Sequence, residues 1–214
     1  MKFRAIFFDW DGTLLDSVPA AFKIYQIIMK KYKNAELSFS LYRDTFKADY
    51  HKYYEMNGIS RDKWDEVDKF WLKLFEEVEK EISLFLGVKE FLSGLHGDGF
   101  KVGLISNGSG SRIRRELKEH NIEGFFDVVI TEDEVYDFKP SPEGINQALR
   151  ILKLNPEECL YVGDMIEDIA AGKKAGVKTI AVLSGVHSLE KLEKEKPDYI
   201  FKSVLDIKNV IQKY

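Results

Sequence analysis

A doubly wound α/β fold is predicted for this 214-residue chain on three observations. Short apolar runs recur along it, continuous rather than alternating, as expected of strands buried on both faces of a parallel sheet. From residue 84 onward these runs alternate with helical periods, the rhythm of β-α-β crossovers. Aspartates, a serine and a lysine stand just past the ends of the runs, at the edge where open α/β sheets bind ligands.

The first strand is read at Ala5–Phe8, with others at Val102–Ile105, Val128–Ile130, Leu160–Val162, Thr179–Leu183 and Tyr199–Phe201. Helices are expected over 88–97, 110–120, 142–154, 166–175, 188–195 and 203–213. Ser141 followed by Pro142 predicts a helix start, with serine as cap and proline in the first turn. Residues 17–83 break the rhythm. Ala21, Ile24, Tyr25, Ile28, Met29 and Tyr32 fall on one helical face. Trp64, Val67, Trp71, Leu74, Phe75, Val78 and Ile82 define a second. Tyr42, Phe46, Tyr50 and Tyr53 point to a third helix between them, and this aromatic stripe reads as helix-to-helix core. Asp16 and Ser17 read as the cap of the first of these helices. The expected organisation is an α/β core over 1–15 and 84–214, a mainly parallel, Rossmann-like sheet, with a helical cap domain inserted at 16–83. An insert at the carboxyl end of a strand belongs over the ligand crevice, as a lid does.

Composition narrows the classes of function. The net charge of −4 argues against nucleic acid as a partner, because phosphate backbones demand concentrated Lys and Arg. Cys159 is the single cysteine, so no intrachain disulfide is possible. No apolar run approaches the ~18 residues of a membrane span, and Ala5–Phe8 is too short for a signal-peptide core. The expectation is a soluble cytoplasmic protein with no membrane partner, as a monomer or a homodimer.

The chemistry concentrates at four strand ends. Asp9 and Asp11 follow the first strand at i, i+2 spacing, which turns both carboxylates to the same side. Gly12 permits the sharp departure that follows. In "YVGDMIEDIAAG", Asp164 follows another strand and Asp168 lies one helical turn further on. Charges at ~4 Å repel by about 4 kcal/mol at an effective dielectric near 20, so such a cluster needs a cation. Oxygen ligands with no Cys or His nearby select a hard ion, and Mg²⁺ is the usual one where phosphates are handled. "VGLISNGSGSR" offers Ser106, Asn107 and backbone N–H groups at a helix start to an anion. "VYDFKPSPEG" offers Lys139 as a point charge. Together these groups describe phosphoryl transfer, in which positioning and charge neutralisation carry most of the catalysis.

"DWDGTLLDS", "ISNGS", "FKPSPE" and "VGDMIEDIAAGKKAG" resemble, in order and spacing, the four motifs of the haloacid dehalogenase-like hydrolases. The similarity is closest to the phosphoglycolate-phosphatase-like group, whose helical cap follows the first motif. The resemblance implies a Mg²⁺-dependent phosphatase of a small phosphorylated metabolite, phosphoglycolate among them, with a covalent aspartyl-phosphate. By position, Asp9 would be the nucleophile and Asp11 the acid that protonates the leaving oxygen and then activates water. Ser106 and Lys139 would hold the phosphoryl group, with Thr13 and Asn107 beside them in substrate binding. Asp9, the main-chain carbonyl of Asp11, and Asp164 would ligate the metal, with Asp168 supporting that shell. Dehalogenases of the superfamily lack the second acid, so Asp11 disfavours dehalogenation. Trp10 stands where Phe or Leu is usual, and Met165 where a small hydroxyl residue often follows the motif's aspartate.

Two rival functions share the core. A sugar-phosphate mutase of β-phosphoglucomutase type would use extra cap groups, with Arg43, Lys47 or His51 as candidates. A non-catalytic regulatory protein on the same fold is opposed by the intact acids. Asp168 is preferred to Glu167 on spacing, since acids also favour first helical turns for dipole reasons. His51, His96, His120 and His187 share no metal-ligand spacing and read as structural or surface groups. Gly108 and Gly110 open a G-x-G-x-x-G that Ile113 breaks, which excludes a dinucleotide site.

Overall fold

The structure, a computed structural model, describes residues 3–211. Contacts divide the chain into two compact units, Met1–Asp16 with Leu84–Tyr214, and Ser17–Ser83.

The larger unit is built on six strands: β1 (Ala5–Phe8), β2 (Lys101–Ile105), β3 (Val128–Ile130), β4 (Cys159–Gly163), β5 (Lys178–Val182) and β6 (Tyr199–Phe201). All pairings are parallel and the order is β3-β2-β1-β4-β5-β6. The sequence led to a mainly parallel sheet; among the described residues this one is wholly so. Ala5 of β1 sits opposite Lys101 on one side and Cys159 on the other. The strand order reverses direction between β1 and β4, which makes that junction the ligand crevice of a doubly wound fold.

Every residue of β1 and β4 is buried, which is why these runs are apolar without alternation. Alternation survives in what each face meets. Ala5 and Phe7 join one core cluster with Ile145, Ala148 and Leu149, and with Ala171 and Ala175. Phe8 points the other way, its ring edge-on to Phe91 at 6.1 Å and 82°. Helices therefore cover both faces of the sheet.

In chain order the helices are α1 (Val18–Lys33), α2 (Phe39–Thr45), α3 (Tyr50–Met56), α4 (Trp64–Val78), α5 (Val88–Gly97), α6 (Gly110–Glu119), α7 (Glu143–Leu152), α8 (Ile166–Ala175), α9 (Leu189–Lys194) and α10 (Lys208–Ile211). The start of α7 lies one residue beyond the expected one: Pro142 holds the cap position, and the Ser141 hydroxyl accepts from the Glu143 N–H at 3.3 Å. Its end comes at Leu152, where Lys153 turns left-handed at φ 54°. The helix expected over 203–213 is a short 3-10 turn, Val204–Ile207, followed by α10. The last two residues of that expectation lie outside the described residues.

The smaller unit is helical, and α1 packs against α4 within it. Ile24, Tyr25, Ile28 and Met29 bury the α1 face that its periodicity marks. The single third helix expected between them is instead two, α2 and α3. Ser38 caps the first, its side chain accepting from the Leu41 N–H. Asp49 caps the second by accepting from the Lys52 N–H. An aspartate that satisfies a fresh set of helix-start donors favours a new start over continuation. Tyr25, Tyr42, Phe46 and Tyr53 still meet as the aromatic core, with centroids 4.9–6.2 Å apart. Ser17 occupies the α1 cap position, yet its side chain makes no capping hydrogen bond.

Candidate active site

The site is assembled by short turns at four strand ends. After β1 the Asp9 N–H still donates to Val162 O at 2.9 Å, which carries the sheet pairing one residue past the strand. The chain then folds back tightly, with Leu14 and Leu15 N–H both donating to Trp10 O at 3.0 Å. Gly12 makes the turn possible, at φ 76° and with its α-carbon so near Asp164 that a Cβ would lie 2.8 Å from Oδ2.

Across the β1–β4 junction, Asp9, Asp164 and Asp168 each offer an oxygen, and these oxygens lie within 4.8 Å of one another. All three residues are buried. Lys139, from the segment after β3, donates its ammonium to Asp9 Oδ1 at 2.5 Å, Asp168 Oδ1 at 2.7 Å and Ile105 O at 3.3 Å. The other Asp168 oxygen accepts from the Met165 N–H at 3.0 Å, and the Tyr161 hydroxyl donates to Oδ1 at 3.2 Å. Asp164 accepts from the Thr13 hydroxyl at 3.2 Å and from the Val186 N–H at 2.7 Å.

The charge balance is unfavourable as it stands. Burial, with Asp168 and Asp11 adding to it and Lys139 opposing, pushes the Asp9 carboxyl up to about 7. Burial and the neighbouring Asp9 and Asp168 hold Asp164 well above the carboxylate range. Burial alone would lower the Lys139 ammonium, but Asp168 and Asp9 outweigh it and the net shift is well upward. Three buried carboxylates share one ammonium, and every candidate ligand atom is an oxygen. That donor set fits a hard divalent cation, which would supply the missing positive charge.

Thr13 and Asn107, expected in substrate binding, have their side chains engaged within the protein. Thr13 is fully buried and its hydroxyl points at Asp164. Asn107 grips the main chain of Lys139 on both sides, its Nδ2 donating to Lys139 O at 3.2 Å and its Oδ1 accepting from Lys139 N at 2.9 Å. Ser106 is buried, and its oxygen accepts from the Gly108 N–H at 3.1 Å. The Asp11 carboxylate stands apart from the acidic trio and meets Arg112 at 2.5 and 3.1 Å. His51 stacks on Trp64 at 4.5 Å and bonds Asp68 at 3.0 Å, both within the helical unit. Buried His187 accepts from the Ile166 N–H at 3.0 Å, consistent with a structural histidine.

Sequence reasoning missed Arg112 and Glu116. Arg112 also reaches Glu116 at 3.3 Å, and buried Glu116 accepts from Trp10 Nε1 at 2.7 Å. Two signals pointed there: the i, i+4 Arg–Glu spacing on the helix after Ser106, and a buried tryptophan whose N–H needs an acceptor.

Fold and site together define a doubly wound α/β hydrolase that gathers its charged groups around the end of its central strand. The chain belongs to the haloacid dehalogenase-like hydrolases: that family's profile matches residues 6–182, and full-length relatives agree. A Bacillus mycoides protein named pyrophosphatase PpaX is 31% identical over 227 residues, covering 100% of this chain and 99% of its own length. A protein of the same name from Bacillus thuringiensis (strain Al Hakam) is 32% identical over 221 residues, covering 97% and 95%. A haloacid dehalogenase-like family hydrolase from Streptococcus pneumoniae superposes with a TM-score of 0.83 at 22% identity, covering 98% of this chain and 99% of that one. That last likeness shows the shared fold.

Proposed function

We propose that this protein is a Mg²⁺-dependent phosphatase that hydrolyses a small phosphorylated metabolite through an aspartyl-phosphate on Asp9. The observation that carries the reading is the meeting of Asp9, Asp164 and Asp168 with the Lys139 ammonium at the β1–β4 junction. Asp9, Asp164 and the main-chain carbonyl of Asp11 would hold Mg²⁺, with Asp168 in support; the ion supplies positive charge to the phosphoryl oxygens and keeps Asp9 ionised.

An Asp9 carboxylate oxygen attacks phosphorus, forming the acyl-phosphate bond as the bond to the leaving oxygen breaks. Asp11 gives its proton to that oxygen. Water then attacks the same phosphorus while Asp11 takes its proton, and the acyl-phosphate bond breaks to return Asp9 and release inorganic phosphate. Ser106, whose oxygen already accepts from Gly108, directs its own hydrogen to a phosphoryl oxygen. Lys139 offers a second contact of the same kind. Thr13 and Asn107 serve that pocket indirectly, through Asp164 and Lys139.

The reading is tested by phosphate release from p-nitrophenyl phosphate, pyrophosphate, phosphoglycolate and a panel of phosphometabolites, with Mg²⁺ and with EDTA. Pyrophosphate belongs in the panel because the PpaX relatives at 31% and 32% identity are named for it. Metal-dependent release from at least one compound is expected. No release from any of them, or release that EDTA leaves unchanged, overturns the proposal.

A further inference from the structure

The turn after β5, Ser184 to His187, lies outside the motifs that carry the acids, the serine and the lysine, yet it bonds to three segments around the site. The Val186 N–H donates to Asp164 Oδ2 at 2.7 Å, and the Ser184 hydroxyl donates to Gly12 O at 2.9 Å. His187 Nδ1 accepts from the N–H of Ile166, the first residue of α8, at 3.0 Å. Together these bonds reach the loop after β1, the aspartate after β4, and the start of the helix that carries Asp168.

Sheet register brings the turn there. Ala181 of β5 pairs with Gly163 of β4, so the chain leaves β5 beside the point where Asp164 leaves β4. Gly185 then lays its main chain against the carboxylate, since a Cβ there would lie 2.0 Å from Asp164 Oδ2 and 2.2 Å from its Cγ. With the Thr13 hydroxyl on Oδ1 and the Val186 N–H on Oδ2, the plane of the Asp164 carboxylate is set from both ends. His187 has no exposed surface, and its other ring nitrogen, Nε2, meets Lys191 Nζ at 2.8 Å. Its Nδ1 is spent on a helix-start N–H, a donor with no partner inside its own helix. Ile166 lies between Asp164 and Asp168, so the ring holds the segment that joins the two acids. Ser184 likewise holds the peptide that follows Gly12, next to the Asp11 carbonyl.

We propose that Ser184 and His187 are positioning residues of the metal site: they fix the turn whose main chain orients Asp164, and so they set the affinity for Mg²⁺. The inference rests on the reading of Asp164 as a metal ligand made above. Neither side chain bonds to an acid of the trio; Ser184 acts through the Gly12 carbonyl and His187 through the first N–H of α8. Groups that hold a ligand in place change metal affinity by about 10–100-fold when they are removed.

The test is calorimetric titration of the metal-free protein with Mg²⁺ alone, beside the Mg²⁺ dependence of phosphate release from a compound the protein hydrolyses. His187→Leu should raise the Kd for Mg²⁺ by about 10-fold and Ser184→Ala by about 3-fold. His187→Asn should stay within about 2-fold of the unaltered protein, because its amide oxygen sits on Cγ where Nδ1 sat and accepts the same bond. In the weakened variants kcat should return at saturating Mg²⁺ with KM for the phosphorylated compound unchanged. A general loss of packing would instead lower kcat at every Mg²⁺ concentration. An unchanged Kd in His187→Leu overturns the proposal, as does equal weakening by leucine and asparagine, or a kcat that stays low at saturating Mg²⁺. If His187→Leu does not fold, Ser184→Ala decides alone, and an unchanged Kd there overturns the proposal. Asp164→Asn separates the two levels. If it binds Mg²⁺ as tightly as the unaltered protein, the reading of Asp164 as a ligand fails. If it loses Mg²⁺ while the Ser184 and His187 variants keep it, only the positioning role fails.

Discussion

The Lys139 ammonium lies 2.5 Å from Asp9 Oδ1, and both side chains are withdrawn from solvent, at 8% and 10% exposure. The same nitrogen serves Asp168 at 2.7 Å, whose side chain is 2% exposed. Breaking a buried pair by removing one partner strands the other as an uncompensated charge, typically at a cost of about 3–5 kcal/mol. Lys139→Ala should therefore destabilise the metal-free protein by roughly that amount in urea denaturation. Saturating Mg²⁺ should recover part of the loss, because it restores positive charge beside Asp9. Equal loss with and without Mg²⁺ would show that the two cations do not share a site.

Asp9 carries the opposite liability. Its folded-state pKa of about 7 stands above the ordinary 3.8, chiefly through burial. Between those values the folded protein holds a proton that the unfolded chain has released. Stability from this group is thus fully present below pH 3.8 and is lost as pH rises to about 7. Mg²⁺ competes with that proton, so the rise in Tm on adding Mg²⁺ should be larger at about pH 8 than at about pH 5.5. Asp9→Asn should raise the metal-free Tm at the higher pH while cutting phosphate release by at least about 10³-fold. A Mg²⁺ effect that shrinks as pH rises would contradict the assignment.

The strands were legible because double burial leaves a plain mark: Ala5–Phe8 and Leu160–Val162 are buried throughout and carry no charged residue, while the half-buried edge strand Tyr199–Phe201 was legible from its apolar run alone. The acidic trio was legible too, because strand ends fix where Asp9 and Asp164 emerge. The roles of Thr13 and Asn107 were not. Their partners lie 151 and 32 residues away, and no local period carries such a pairing. The pairing of Arg112 with Asp11 was hidden for the same reason, with a sequence separation of 101. The break between α2 and α3 was written in Ser38 and Asp49, but a continuous row of aromatic residues spoke over the caps.

Cys159 begins β4 with no exposed surface, and burial pushes its thiol up to about 12. The thiolate is the reactive form, so raising its pKa and covering it act together. In the native protein at about pH 8 it should resist a thiol-specific disulfide reagent over hours and react fully once denaturant is added. Rapid labelling of one equivalent in the native state would mean that β4 opens readily, and its Asp164 with it.

Gly12 should tolerate no side chain, because both its backbone angle and its surroundings forbid one. Alanine there must adopt φ 76°, and its Cβ would stand 2.8 Å from Asp164 Oδ2 and 3.1 Å from Gly185 Cα. Asp164 has nowhere to retreat, because Oδ2 is fixed by the Val186 N–H at 2.7 Å and Oδ1 by the Thr13 hydroxyl. Backbone strain of this kind costs about 1–3 kcal/mol, and displacing Asp164 should weaken Mg²⁺ binding as well. Gly94→Ala is the control: it lies within α5, where an added Cβ meets nothing within 4 Å. That change should stabilise the fold by about 0.5–1 kcal/mol through helix propensity and leave Mg²⁺ binding untouched. If the two substitutions behave alike, the close approach of the Gly12 turn to Asp164 is not what holds the metal ligand in place.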